Sequence, residues 1–301
     1  MKLTILGCHS ATPRTNTNPT SQVLEIKNHM FLIDCGEGTQ VELRRNKVKF
    51  SRIKHIFISH LHGDHYFGLI GLVSTFQLLT RETELHIYGP KGIKEVIMLQ
   101  LKLSQSWTSF QLIFHELTSK DSELIFEDDK VEVYTIPLKH RVYTNGFLFK
   151  EKENERKLDI NAVLNANINV AYYRKLKQGA DVENEDGELI KNEAVTKDPI
   201  PAQSYAYCSD TVYHEAIIPI IKDATVLYHE STFLDKNEVL CEPTKHSTAR
   251  HAGRIAKKAN VGFLILGHFS TRYNGYDEFK SEAKEEFDNV LLARDGKSFE
   301  F

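Results

Sequence analysis

The segment from Ser59 to His65 constrains this chain more than any other feature. It reads Ser-His-Leu-His-Gly-Asp-His and directly follows an apolar run at residues 53–58. A buried strand that ends in three histidines and an aspartate delivers their side chains to one point in space. Imidazole and carboxylate together suit Zn²⁺, and the carboxylate allows a second ion or an activated water. The HxHxDH spacing is rarely met by chance, so it indicates a metal site rather than a surface loop that is merely rich in histidine.

The remaining composition is that of an ordinary globular chain. Its 301 residues suffice for one large domain or two small ones, and 41% are hydrophobic and 26% charged. The longest apolar runs are too short to span a bilayer, and the N-terminus reads as a first strand rather than a signal peptide. The four cysteines form no CxxC pair, which fits a reducing compartment. We therefore expect a cytoplasmic protein with no membrane association.

The charge of the chain limits how it could bind nucleic acid. The formal net charge is −3, so the protein as a whole does not attract nucleic acid. Any surface that binds nucleic acid must therefore be a local basic patch. Six basic residues lie within 44–54, a pattern that a solvated helix end and loop explains equally well. A second cluster, at 172–177, combines basic side chains with two tyrosines.

Both halves of the chain alternate strands with helices. A strand at 53–59 leads through the metal motif into a largely apolar helix at 65–79. In the second half the predicted strands lie at 204–209, 225–230 and 261–266, and a helix is predicted near 213–221. This repeated scheme favours two sheets with helices outside them.

Residues 150–200 break that scheme. They carry mixed charge, few apolar residues and one predicted helix at 159–165. A structureless loop of this length is unusual unless it has a function. We interpret the segment as a projecting insertion.

Three further candidate ligands follow predicted strands: His140, Asp210 and His268. A single histidine in such a position is more often a satisfied polar residue, but the shared placement of all three favours one site. Seven ligands with one bridging carboxylate would hold two zinc ions about 3.5 Å apart. In this interpretation, one ion is held by His60, His62 and His140, the other by Asp64, His65 and His268, and Asp210 bridges them.

Such a centre predicts hydrolysis. Zinc brings the pKa of bound water to about 7, and Asp64 could orient that water or accept its proton. Two ions can also stabilise charge that develops on phosphorus. The motif alone does not choose between phosphodiesters and carbonyl compounds as substrates.

Taken over its whole length, the chain resembles the metallo-β-lactamase superfamily and, within it, the short form of the tRNase Z (ribonuclease Z) family. The resemblance rests on the HxHxDH motif and on Asp34–Gln40, Pro137–His140, Ser209–Thr211, Gly267–Ser270 and Thr271–Tyr273. Two further segments are the most diagnostic, since His229–Phe233 is similar to the family's HEAT loop and His246–Ala249 to its HST loop. The resemblance implies a four-layer αββα sandwich of the metallo-β-lactamase type. It implies one such domain over 1–301, with a flexible arm inserted at 150–200.

The resemblance also implies roles for residues outside the metal motif. Glu230 and His246 would act as a pair, with His246 protonating the leaving 3′ oxygen of the ribose. A carboxylate partner raises the pKa of a histidine, which agrees with that role. Lys139 and Arg272 would contact the phosphate backbone of the substrate.

In this family the inserted arm grips the elbow of tRNA. The arm of one subunit of a homodimer holds the tRNA that the other subunit cleaves, and each subunit carries two zinc ions. The residues expected to contact tRNA here are Tyr172, Tyr173, Arg174, Lys175 and Lys177. Many arms of the family carry a Gly-Pro ahead of the Lys-Leu-Lys, and this chain has Val170-Ala171-Tyr172-Tyr173-Arg174 at that point.

Three functional hypotheses follow. The first is a zinc-dependent endoribonuclease that cuts precursor tRNA after the discriminator nucleotide. The second is a small-molecule hydrolase of the same fold, such as a cyclic phosphodiesterase, an arylsulfatase-like enzyme or a lactonase, which would have no use for the arm. The third is a catalytically idle RNA-binding protein, which would bind no zinc.

Overall fold

The computed structural model describes all residues from 1 to 301. Eighteen strands and ten α-helices are present. The strands are β1 (Lys2–Gly7), β2 (Ser21–Ile26), β3 (His29–Cys35), β4 (Ile53–Phe57), β5 (Leu85–Pro90), β6 (Leu112–Leu117), β7 (Leu124–Glu127), β8 (Val131–Pro137), β9 (Asn145–Glu151), β10 (Lys157–Leu158), β11 (Val182–Glu183), β12 (Leu189–Ile190), β13 (Thr196–Lys197), β14 (Ser204–Cys208), β15 (Val226–Glu230), β16 (Phe263–Gly267), β17 (Val290–Leu292) and β18 (Ser298–Glu300). The helices are α1 (Thr39–Arg45), α2 (Gly63–Leu78), α3 (Ile93–Leu103), α4 (Ile160–Asn165), α5 (Tyr173–Lys177), α6 (Asn192–Val195), α7 (Ile218–Ile221), α8 (Cys241–Thr244), α9 (Ala249–Lys258) and α10 (Asp277–Lys284).

Two seven-stranded sheets form the larger of two compact units, which comprises residues 1–150 and 204–301. The first sheet has the order β18-β1-β2-β3-β4-β5-β6, antiparallel from β18 to β3 and parallel from β3 to β6. The second has the order β17-β16-β15-β14-β9-β8-β7, with β14 to β17 parallel. Parallel strands need helical crossovers, and this requirement places helices beside both sheets.

The alternation of side chains along β3 explains the layers. Phe31 and Ile33 point into a core between the sheets, where the ring of Phe31 lies 5.3 Å from that of Phe149 in β9. Leu32 points the other way, into a second core formed with α1, α2 and α3. Helices α9 and α10 cover the second sheet. The predicted αββα sandwich is therefore confirmed.

The smaller unit comprises Glu151–Gln203. It holds the strand pairs β10–β13 and β11–β12 and helices α4 to α6. Five buried residues form its own core: Val163, Ile168, Leu176, Val182 and Val195. The sequence indicated a polar insertion with one helix at 159–165, and α4 lies within that range. The packed core was not expected, because its apolar residues are too widely spaced to show a periodic pattern.

The four cysteines are unpaired and buried. Burial raises the pKa of the Cys35 thiol to about 12, so this side chain behaves as a small hydrophobe rather than a nucleophile. No helix combines the length and the apolar character that crossing a membrane would require.

Candidate active site

Seven predicted ligands meet beyond the ends of strands from both sheets. His60 and His62 follow β4, and Asp64 and His65 lie in the first turn of α2. The other three, His140, Asp210 and His268, follow β8, β14 and β16. Their donor atoms form two adjoining groups, each compact enough to surround one ion.

The first group contains three imidazole nitrogens. Nδ1 of His62 lies 3.0 Å from Nε2 of His60 and 3.2 Å from Nε2 of His140. The opposite nitrogens of the two partner rings are held by the protein, since Nδ1 of His60 contacts the Ser59 hydroxyl and Nδ1 of His140 donates to the Lys245 carbonyl. These contacts fix the ring orientations and leave three lone pairs turned to one point.

The second group combines histidines with carboxylates. Nε2 of His65 lies 3.4 Å from Oδ2 of Asp64 and 3.3 Å from Oδ1 of Asp210. Nε2 of His268 lies 3.5 Å and 3.2 Å from the same two oxygens. The other oxygen of Asp210, Oδ2, lies 3.7 Å from His60 and from His140. One oxygen of Asp210 thus faces each group.

The donor set fits a pair of divalent metal ions. Nε2 of His65 and Nε2 of His268 are buried without a hydrogen-bond partner, although buried polar atoms are normally paired. Burial opposes the charged form of His65, but Asp210, Asp64 and Asp34 more than offset it and raise the pKa of His65 well above its usual range. The centre therefore attracts positive charge at the point where the unpaired nitrogens converge.

Glu230 and His246 adjoin this centre. Nδ1 of His246 donates to Oε1 of Glu230 over 2.9 Å, and that carboxylate is fully buried. Burial disfavours the imidazolium, yet Glu230 and this hydrogen bond raise the pKa of His246 to about 9. Oε1 of Glu230 also accepts from the Thr211 backbone nitrogen at 2.7 Å, and Oε2 accepts from those of Thr232 and Ser247 at 3.2 and 3.1 Å.

A cavity of about 560 Å³ opens over these side chains. Asp64, Asp210, His246 and His268 line it, together with the cationic residues Arg141 and Arg272. Lys139 does not line it, although its backbone nitrogen is held by the Thr211 hydroxyl at 3.2 Å. Arg141 was not predicted as a site residue, although it follows His140 directly in the sequence.

The chain is similar to curated ribonucleases Z over nearly all of its length. It is 45% identical to ribonuclease Z of Bacteroides thetaiotaomicron over 98% of this chain and 93% of that protein. The crystal structure of the human short-form tRNase Z superposes with a TM-score of 0.74 at 26% identity, covering 100% of this chain and 99% of the other. The chain belongs to the ribonuclease Z family.

Two further likenesses agree with this ribonuclease Z assignment at the level of the fold. The metallo-β-lactamase fold protein YhfI of Bacillus subtilis superposes with a TM-score of 0.69 at 19% identity over 99% of this chain and 98% of that one. The model of a family described as Anti-Pycsar protein Apyc1 matches residues 1–168, and by that match the chain belongs to this family too. The matched part contains the HxHxDH motif, whereas Glu230 and His246 lie beyond it.

Within this ribonuclease Z fold, Asp34 adjoins the site but was not predicted from the sequence as a site residue. It is fully buried at the end of β3, and its carboxylate accepts from the Ser59 backbone nitrogen at 2.7 Å and from Nδ1 of His65 at 2.7 Å. The Tyr207 hydroxyl donates to it at 2.6 Å. Asp34 thereby holds His65 with Nε2 directed to the other candidate ligands. In the sequence, the available sign of this role was the position of Asp34 at the end of β3, the strand that pairs with β4.

Proposed function

We propose that the chain is a zinc-dependent endoribonuclease that removes the 3′ trailer of precursor tRNA. Water attacks the phosphorus after the discriminator nucleotide, and the bond from phosphorus to the ribose 3′ oxygen breaks. The tRNA keeps a 3′-hydroxyl and the trailer a 5′-phosphate. Membership of the ribonuclease Z family supports this proposal, together with a proton donor beside a two-part His/Asp centre.

His60, His62 and His140 would hold one zinc ion, and Asp64, His65 and His268 the other, with Asp210 between them. When bound, two such ions lower the pKa of bound water and neutralise charge on a phosphate. Asp64 would orient the attacking water and accept its proton. Arg141 and Arg272, which line the cavity, would bind the phosphate oxygens of the RNA.

The Glu230–His246 pair is the observation that carries the proposal. The leaving ribose oxygen needs a proton as its bond to phosphorus breaks. His246 lines the cavity, and its Nδ1 is held by Glu230, so its Nε2 is the nitrogen that can reach that oxygen. Glu230 keeps the ring oriented and favours its protonated form.

We further propose that the Glu151–Gln203 unit is the arm that binds tRNA. On α5 the basic side chains of Arg174, Lys175 and Lys177 are exposed, while Leu176 between them is buried in the core of the unit. The Lys175 ammonium lies 5.4 Å from the ring of Tyr172. Such a basic and aromatic surface suits a folded RNA backbone, with Tyr172 and Tyr173 half-buried beside it.

The family resemblance also leads us to propose a homodimer in the cytoplasm, in which each arm serves the partner's active site. Light scattering of the purified protein measures the subunit number directly. Mixed dimers test whether the arm serves the partner's active site. In these dimers one subunit has a defective arm and the other lacks a functional His246. Such mixed dimers should retain about half of the active sites if the arm works across the interface.

The test of the proposed reaction is end-mapped cleavage of a 3′-extended precursor tRNA by the zinc-loaded protein. An unstructured RNA of equal length and a chelator-treated enzyme are the controls. A single cut after the discriminator nucleotide, absent from both controls, supports the proposal. Intact precursor with zinc bound would contradict it and favour a small-molecule hydrolase, to be tested on phosphodiester and lactone substrates.

A further inference from the structure

Four histidines lie side by side on neighbouring strands of the first sheet. His29, His55, His86 and His115 belong to β3, β4, β5 and β6, and we call them the histidine row. The rings of His55 and His86 stack with centroids 4.9 Å apart, and those of His86 and His115 with centroids 5.3 Å apart. The proposed reaction uses none of them. His60 lies five positions after His55, or roughly 16 Å of extended chain.

Within the row, His86 and His115 face each other nitrogen to nitrogen. Nδ1 of His86 lies 3.0 Å from Nε2 of His115. The pairing of β5 with β6 sets this contact, because His115 stands opposite Tyr88, two residues beyond His86. Two nitrogens bound to one tetrahedral zinc at about 2.0–2.1 Å are roughly 3.3 Å apart, so the pair needs little movement to share an ion.

Glu84 completes the arrangement from the other side of His86. Its Oε1 lies 3.0 Å from Nε2 of His86, so Nε2 carries the proton and Nδ1 presents its lone pair. A carboxylate behind a histidine is the usual outer partner of a metal ligand. In the metal-free protein the Nδ1 lone pair of His86 accepts the Nε2 proton of His115, and a bound metal would take the place of this proton once it moves to Nδ1 of His115.

We propose that His86 and His115 form a second metal-binding site, separate from the catalytic centre, for Zn²⁺ or a similar imidazole-binding dication such as Cu²⁺ or Ni²⁺. Both histidines are half-buried and their nitrogen-to-nitrogen contact is only partly buried, so water could fill the remaining positions. Imidazole donors select these ions over Mg²⁺ and Ca²⁺, which prefer oxygen.

The experiment uses the full-length enzyme after zinc loading of its catalytic centre and removal of free metal. Further Zn²⁺ is titrated in competition with a chromophoric chelator, for the wild type, His86→Gln and His115→Gln. His29→Gln is the matched control, because that histidine lies in the same row but its Nε2 is held by Asp128 at 2.7 Å. Glu84→Gln tests the outer carboxylate. Thermal unfolding verifies that each variant is folded.

We expect the wild type to take up one zinc beyond the catalytic ions. The affinity for this additional zinc should fall at least tenfold in His86→Gln and in His115→Gln. It should fall about tenfold in Glu84→Gln and stay unchanged in His29→Gln. When zinc is added to the wild type, the NMR signals of Nδ1 of His86 and Nε2 of His115 should change before those of other imidazole nitrogens. Absence of additional uptake, equal affinity in all variants, or a response at other histidines would overturn the proposal.

Discussion

Three buried carboxylates at the site, Asp34, Asp210 and Glu230, differ in what surrounds their oxygens. Asp34 is enclosed by protein donors, among them Nδ1 of His65, a candidate ligand. Glu230 accepts from three backbone nitrogens and from His246. Asp210 faces imidazole nitrogens on both sides. A buried charge is stable only when it is paired or hydrogen-bonded, so these surroundings give each carboxylate a different role.

Replacing His246 separates proton donation from metal binding. We expect His246→Ala to slow precursor-tRNA cleavage by about 100-fold or more, since general-acid catalysis contributes on that scale. Zinc content should stay unchanged, because the seven proposed ligands remain. Single-turnover cleavage and metal analysis measure the two effects. His214→Ala, which removes a histidine that does not line the cavity, should cleave at the normal rate. Normal cleavage by His246→Ala would refute the donor role.

Replacing Asp34 tests the support of the metal centre. In Asp34→Asn, His65 loses its charged partner, and we expect zinc affinity to fall about 10- to 100-fold. Asp128→Asn is a matched control, because Asp128 also accepts from a histidine at 2.7 Å, but that histidine is His29 of the histidine row. Chelator competition measures the affinities of both variants. An equal loss in the two variants would show that the effect is not specific to His65.

At the scale of elements, pairing of the parallel strands in the first sheet aligns the histidine row. Strand register places His55 directly opposite Phe31 on β3 and His86 on β5. Nδ1 of His55 is buried without a partner there. Burial, followed by the neighbouring histidines, lowers the pKa of His55 to about 3. The row thus makes the stability of this sheet depend on pH.

The unfolded chain binds a proton at His55 below about pH 6.5, whereas the folded chain does so only near pH 3. Between these values stability falls as pH falls, by about 1.4 kcal/mol per pH unit for one such group. We expect His55→Phe to weaken this dependence and to be stabilised more at pH 5 than at pH 7.5. Urea unfolding at the two pH values provides the comparison. An equal gain at both would mean that His55 titrates normally when folded.

At the scale of the whole molecule, two compact units share one chain. The ends of the smaller unit adjoin, since the Glu151 backbone nitrogen donates to the Gln203 carbonyl at 2.9 Å. The flanking residues Lys150 and Ser204 are antiparallel partners in the larger unit. A two-residue Asn-Gly turn can join such a pair, so the smaller unit can be excised without breaking the β9–β14 pairing.

Excision of 151–203 distinguishes a tRNA enzyme from a small-molecule hydrolase. We expect the shortened protein to hydrolyse an aryl phosphodiester at nearly the wild-type rate, because every proposed ligand remains. Cleavage of precursor tRNA should fall by 100-fold or more if the arm supplies binding energy of about 3 kcal/mol or more. A full-length variant that lacks the positive charges of α5, with Arg174, Lys175 and Lys177 replaced by Gln, should show part of this loss. Undiminished tRNA cleavage after excision would argue against the arm.

Much of the fold was predictable from local pattern. The apolar helix expected at 65–79 is present as α2 at Gly63–Leu78, and the two-sheet sandwich is confirmed. Strand β18 escaped prediction because it has only three residues and pairs with β1 at the far end of the chain. The predicted helix at 213–221 is reduced to a 3₁₀ turn at 215–217 and the short α7.

The sequence by itself determined the chemistry available to this protein. Ligand types and their spacing in HxHxDH are local properties, and a candidate ligand at a strand end can be identified from the strand that precedes it. The ligand and proton-donor roles remain predictions that the variants above test. Family resemblance, rather than residue pattern, was needed to choose His246 over an ordinary residue before a helix.

Only the tertiary structure decided which of these groups meet. Asp34 reaches His65 across 31 positions, and the Tyr207 hydroxyl reaches Asp34 across 173. The contact between His86 and His115 depends on the register of two strands. Periodicity reveals which face of a strand is buried but not which strand lies beside it or at what offset. Contacts between distant segments follow from packing the two sheets. That packing forms the cavity and brings the charged side chains to its wall.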